Sequence, residues 1–280
     1  MLDNKTIKKI NDFVYVKPRT INEIAELIST SWKTADRYVD KIIKEEGNIA
    51  TRIFREGTRG AIKIVYWNNI ERIHSSDFQE KLLKKIETSK IMSPFDIYQY
   101  VDEKKRNATI IDAEKCGIED KLKDYLRKSK EQVLSFSGNL SWINAKEGNE
   151  KIIDVIEELG KNGVSIKILS RITVDSIKNV RNALLINEKL GKSIIEIRHC
   201  EQPLRGFIID NQVVRFREML NPLDYRKGEL DNKILLFYEI FDSEWIEWCK
   251  NVFFYFFRAS IPAEKRIRDL DSIKNIYKYL

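Results

Sequence analysis

The 280-residue chain is poor in cysteine, histidine, proline and glycine, with 3 Cys, 2 His, 5 Pro and 11 Gly. Cys116, Cys200 and Cys249 are far apart, odd in number and form no Cys-x-x-Cys. That spacing excludes a disulfide framework and points to a reducing compartment, the cytoplasm. With only His74 and His199 beside such scattered thiols, no metal site is expected and no cofactor is implied. Long apolar runs are also missing. The greasiest stretch, 252–257, is far shorter than the ~20 residues of a membrane helix. The opening Met1-Leu2-Asp3-Asn4-Lys5 lacks the apolar core of a signal peptide. No membrane partner is expected.

Charge is abundant. The chain carries 50 Lys+Arg against 43 Asp+Glu, for a net charge of +7, and 33% of its residues are charged. A basic surplus attracts nucleic acid or an anionic membrane, or serves only solubility, so its placement decides between these. The length suits two domains, each usually roughly 100 to 200 residues.

Residues 1–67 read as one domain. Ile7, Ile10, Phe13 and Val14 recur at helical spacing, and Pro18 ends that helix. Thr20-Ile21-Asn22-Glu23 has the spacing of a capping box that opens a second helix. A third helix is predicted from Ser31 or Trp32 to Glu46, with Gly47 as its cap and Ala35, Tyr38, Val39, Ile42 and Ile43 facing inward. Two alternating strands follow at 49–55 and 61–67, around a glycine turn at 56–60. Three helices and then a hairpin is the order of a winged helix-turn-helix. The segment Ser31-Trp32-Lys33-Thr34-Ala35 followed by Arg37-Tyr38-Val39 resembles the recognition helices of archaeal and bacterial winged-helix regulators.

In that architecture the first turns of the third helix enter the major groove. The candidate DNA contacts are therefore Ser31, Trp32, Lys33, Thr34 and Arg37, with Arg55, Arg59 and Lys63 added by the hairpin. Lysine and arginine read guanine edges or hold phosphates, and threonine does either or touches a thymine methyl. Trp32 either packs on the hairpin, which is the commoner use, or stacks on a sugar. Arg59 at the glycine turn is placed to reach a minor groove or the backbone. Asp36 and Asp40 on the same helix repel phosphate, which concentrates contact at the helix start. The alternative for the whole set is a protein-contact module.

Residues 68–127 read as a helical connector, with helices near 78–86 and 97–101, a charged helix end at 102–106 and a further helix from 122. It serves interdomain packing or dimerisation and lacks the heptads of a coiled coil. Residues 128–280 alternate strand and helix, with strands at 133–136, 164–169, 194–198, 204–210, 213–217 and 234–240 and helices at 152–159, 176–190 and 244–257. The βαβαβ start predicts a partly parallel α/β sheet, and the closely spaced later strands predict antiparallel pairing. The expected fold class is thus multidomain, α+β and α/β.

Pro203-Leu204-Arg205-Gly206-Phe207-Ile208-Ile209-Asp210 is similar to the His-x-Lys-x4-Asp signature of the phospholipase D superfamily. Arg205 takes the lysine place and Asp210 the aspartate place, while Pro203 stands where the family has its histidine nucleophile. The resemblance then implies that the covalent route is closed and that the chain is not an enzyme. His199, four residues earlier, sits about 13 Å away along an extended chain and is not read as a replacement. Ser137, Asn139 and Arg171 fall near the ends of the first two strands, where α/β folds bind ligands. With Arg205 and Asp210 they are the candidate effector site, although those last two also suit a plain salt bridge. Arg198, Arg215 and Arg217 add positive charge nearby.

A degenerate domain of this kind behind a winged helix resembles the TrmB-like archaeal regulators. That resemblance implies a transcription regulator that binds operator duplex DNA, pairs as a homodimer and senses a small-molecule effector. The alternatives are a phosphodiesterase or nuclease targeted by the winged helix, or a partner-binding protein in DNA repair or defence.

Overall fold

Helix α1 (Asn4–Val16) buries Ile10 and Val14, which lie one turn apart on its inner side. A two-residue strand β1 (Arg19–Thr20) leads directly into α2 (Ile21–Leu27). Thr20 serves both elements: its Oγ1 accepts from Glu23 N–H at 3.1 Å, and its own N–H donates to Glu23 Oε2 at 2.7 Å. This reciprocal pair satisfies two donors that a helix start leaves open. Helix α3 (Trp32–Glu46) is capped by Ser31, whose Oγ accepts from Thr34 N–H at 3.3 Å, and it ends at Gly47 with φ 63°. Strands β2 (Ile49–Arg55) and β3 (Ala61–Trp67) pair antiparallel, and β1 adds to β3, giving the order β1-β3-β2. Ile10, Ile24, Ala35, Val39, Ile42 and Val65 close the core of this part.

These elements come from a computed structural model, which describes residues 2–16, 19–55, 61–67, 77–116, 120–224 and 232–277. The chain divides into two compact units, Met1–Arg72 and Ile73–Leu280.

The second unit begins with α4 (Asp77–Thr88) and the single turn α5 (Phe95–Tyr98). Strand β4 (Arg106–Asp112), α6 (Leu122–Arg127) and β5 (Gln132–Ser137) follow. A small pair, β6 (Lys146–Glu147) and β7 (Glu150–Lys151), precedes α7 (Ile152–Lys161). Then come β8 (Ser165–Ser170), α8 (Ile177–Leu190), β9 (Ile195–His199), β10 (Gly206–Ile209), β11 (Val213–Leu220) and β12 (Ile234–Ile240). Helix α9 (Ser243–Ala259), β13 (Ile261–Pro262) and α10 (Ala263–Tyr277) complete it.

Eight strands form one mixed sheet in the order β13-β9-β8-β5-β10-β11-β12-β4. The β5-β8 and β8-β9 pairs are parallel and the remaining pairs antiparallel. Alternate residues of β5 serve the two faces, as the strand period requires. Val133 joins the core under α7, α8 and α10 with Val155, Ile156, Val180 and Ile267. Phe136 points to the opposite face, where its ring lies 5.2 Å from that of Phe253 on α9.

Two expectations need correction. The 68–127 stretch is not a purely helical connector: β4 belongs to the sheet, paired along its length with β12. The charged segment expected as a helix end is instead a single 3-10 turn, Glu103–Lys105, running into that strand. Among the described residues no helix is long and apolar enough to cross a membrane.

Candidate functional site

Two places gather the predicted residues, one in each unit. In the first unit Lys33 and Arg37 lie on the exposed side of α3, opposite the buried Ala35, Val39 and Ile42. Neither forms an ion pair among the described residues. Thr34 is half-buried, and its hydroxyl lies 3.0 Å from Ser31 Oγ, so both belong to the helix cap as well as to its exposed start. Trp32 is 56% exposed and lines an open groove of about 700 Å³ with Asn22, Glu26, Ser29 and Ser31.

Lys63, expected among the DNA contacts, also has partners inside the unit. Its Nζ lies 2.7 Å from Asp36 Oδ1 and 2.8 Å from Asp40 Oδ1, so β3 clamps two carboxylates spaced one turn apart on α3. Burial works against the ammonium, and the two aspartates outweigh it, holding the pKa of Lys63 above its ordinary value. Arg59 lies outside the described residues, and so does the side chain of Arg55.

In the second unit the carboxyl ends of the parallel strands β5, β8 and β9 meet the start of β10. Arg205, just before β10, is half-buried there. Its Nη1 donates to the carbonyls of Gln202 at 2.8 Å and Leu204 at 2.6 Å. The Nε–Nη2 edge has no protein partner among the described residues and lies over Gly138, where a Cβ would come within 2.8 Å of Nε. Gly138 is therefore the residue that makes room for the guanidinium. Its carbonyl accepts from Arg171 N–H at 2.7 Å and from Ser170 Oγ at 3.1 Å, which locks β5 to β8 at the site. Burial pushes the pKa of Arg205 down, and the positive charges of Arg171 and Arg217 push it further. Arg171 and Arg217 are exposed and form no ion pair among the described residues. Arg171 and Arg217 thus lie near enough to act on the charge of Arg205, and among the described residues none of the three has a carboxylate partner, a combination suited to an anion.

The other expected members do different work. The buried Ser137 Oγ accepts from Leu140 N–H at 3.0 Å, and Asn139 Oδ1 accepts from Ser141 N–H at 3.1 Å, so both shape the turn after β5. Asp210 is not at this site and makes no salt bridge with Arg205. It lies past the far end of β10, five residues or roughly 16 Å of extended chain away. There it accepts from Ser129 Oγ at 3.1 Å and from the N–H groups of Lys130, Glu131 and Gln132 at 2.9, 3.0 and 2.7 Å. Of the flanking arginines, Arg198 pairs with Glu196, and the buried Arg215 pairs with Asp120 and Glu239, while Arg217 has no ion pair among the described residues. The sequence marked Arg217 only as added positive charge nearby: β11 has to pair with β10 before Arg217 N–H can donate to Arg205 O at 2.7 Å. His199 Nδ1 accepts from Ile172 N–H at 2.9 Å, which leaves the proton of the neutral ring on Nε2.

No family model matches the chain, and no curated protein does. Solved structures do. A phospholipase D family member, Nuc from Salmonella typhimurium, is 12% identical, with 56% of this chain and 97% of that one covered at a TM-score of 0.41. TrmBL2, an archaeal chromatin protein described with a novel mode of DNA binding, is 15% identical over 92% of this chain and 94% of its own, with a TM-score of 0.40. NucT from Helicobacter pylori is 13% identical over 56% and 99%, with a TM-score of 0.39. These matches correct one expectation: with Nuc and NucT among the similar structures, the reading of the chain as a non-enzyme is withdrawn.

Proposed function

We propose that the first unit is a winged helix-turn-helix that binds duplex DNA with the start of α3, and that the chain regulates transcription. The observation that carries this reading is the exposed first half of α3, where Lys33 and Arg37 form no ion pair among the described residues while Lys63 offsets part of the charge of both aspartates of the same helix. Phosphates meeting this face find two cations and a weakened carboxylate repulsion. The second unit, in this proposal, is a phospholipase D-like domain whose Arg171, Arg205 and Arg217 take a phosphate-bearing effector.

Cleavage of a phosphodiester is a second reading, favoured by those same three guanidiniums, which would hold a phosphodiester as readily as a bound effector. One experiment addresses both. Labelled duplex is titrated with wild type and with a Lys33→Ala, Arg37→Ala variant at several salt concentrations, and the DNA is then run on a denaturing gel. The proposal expects affinity that falls steeply with salt and a variant weakened at least ~10-fold through two lost cationic contacts. Equal binding by both proteins would sink the α3 interface. Cut DNA whose yield drops in Arg205→Ala would establish the second reading.

A further inference from the structure

Arg205 stands where the phospholipase D signature carries a lysine, and the two cations differ in shape. A lysine ammonium is a point charge, whereas a guanidinium is a flat fork whose edge matches two oxygens of one phosphate. The fork of Arg205 is set in place by the chain itself. Nη1 is engaged by the carbonyls of Gln202 at 2.8 Å and Leu204 at 2.6 Å, which leaves the Nε–Nη2 edge without a protein partner among the described residues.

The segment that supplies those carbonyls is itself anchored. Leu204 is buried, and the buried Gln202 donates from Nε2 to Ser137 O at 3.3 Å. A carbonyl at that place needs an N–H, which fixes the orientation of the amide. Gly138 follows Ser137. It does not belong to the glycines with positive φ, so its backbone does not require glycine. Space does: a Cβ at 138 would lie 2.8 Å from Arg205 Nε and 3.3 Å from Cζ and Nη2, and these are the nearest atoms it would meet. The carbonyl of Gly138 is tied to Arg171 N–H and Ser170 Oγ, so under such a clash the guanidinium would move rather than the backbone.

We propose that Gly138 and Gln202 are positioning residues that preset Arg205 as a two-pronged donor, and that the site grips one phosphate by two of its oxygens, on Nε and Nη2 together. The proposal rests on the reading of the second unit as a phosphate-binding domain, and it adds how the phosphate is held. Arg171 and Arg217 contribute charge from nearby. The grip of Arg205 is directional, so charge alone at residue 205 does not replace it.

The test is isothermal titration of the full chain with inorganic phosphate in low-salt buffer, with thermal unfolding alongside. Arg205→Lys keeps the charge and removes the fork, and it is expected to bind at least ~10-fold more weakly through the lost charge-assisted bond. Gly138→Ala pushes the guanidinium aside and should fall to a similar level, with an unchanged unfolding midpoint. Gln202→Met keeps the side-chain length, frees Ser137 O and should lose roughly 3-fold. Added to Arg205→Lys, neither Gly138→Ala nor Gln202→Met should weaken binding further, because no fork remains to be aimed. A merely structural role would add its loss in that background too, and that result overturns the proposal. So does a lysine variant that binds as tightly as wild type, which decides the matter if Gly138→Ala fails to fold. Phosphate uptake that is equal in wild type and Arg205→Ala, or absent from both, overturns the phosphate reading of the site itself, and the proposal with it.

Discussion

Lys63 was expected to touch DNA, and its distances of 2.7 and 2.8 Å to Asp36 and Asp40 give it another task. An ammonium held by two carboxylates has little left for a phosphate, yet without it α3 would present two bare anions to the duplex. The two roles give different mutant behaviour. Lys63→Met should weaken duplex binding roughly 10-fold, the scale of an interfacial charge change of about 1.4 kcal/mol. Adding Asp36→Asn and Asp40→Asn to it should restore most of the loss, because the carboxylates were the obstacle. A direct phosphate contact would leave the triple variant as weak as the single one, and anisotropy titration at fixed salt separates the outcomes. Arg205 and Asp210 teach the same lesson in the second unit. Eight consecutive residues of sequence carry both, but an extended strand sends them to opposite ends of β10, one to the open strand ends and the other to four donors at the start of β5.

Among the elements, the caps were the most legible. Thr20 and Glu23 stand three apart, and the structure joins them by two reciprocal bonds. Thr20→Ala should destabilise the first unit by about 1 kcal/mol, the usual cost of losing an N-cap, while Thr20→Ser should recover most of it. Urea unfolding followed by a probe in the first unit would show this, and equal midpoints for the alanine and serine variants would contradict it. The strands at 49–55 and 61–67 were also readable, since their alternation is strong. β4 was not. Its residues 107–110 are all exposed, so it lacks the alternation of buried and exposed positions that betrays a half-buried strand, and only Ile111 packs inward, against Leu235 and Phe237. β1 was missed for another reason: two residues carry no period, and Arg19 and Thr20 become a strand only because Val65 and Ile64 lie opposite them. The arginine cluster around Arg205 was half visible. Strand ends pointed to Arg171, and the signature-like segment pointed to Arg205. Arg217 depends on register across β10 and β11, and that is tertiary information.

Across the whole molecule, acid stability separates by pH window. The lowered carboxylate pKa values of Glu23, Glu150, Glu157, Glu196 and Asp242 all lie below ordinary values of 4.5 for glutamate and 3.8 for aspartate. A group depressed on folding stabilises above its unfolded value and loses that contribution as pH falls through the folded one. These carboxylates therefore lose their contribution below about pH 4.5. His199 is depressed as well, by burial first and then by the nearby charge of Arg266, from an ordinary value of 6.5. Its contribution is complete above pH 6.5 and declines as pH falls toward the folded value, because the unfolded chain takes up the proton first. Between these windows the histidine should dominate the acid side. Glu147 runs the opposite way, its pKa raised by burial, and a comparison of variants cancels its share. His199→Asn keeps an acceptor for Ile172 N–H but cannot titrate. Wild type should lose stability from pH 7 to pH 5 in chemical denaturation, and the asparagine variant should be flatter over that span. Parallel curves would mean that His199 is as easily protonated folded as unfolded, and that the Ile172 bond does not hold its ring neutral.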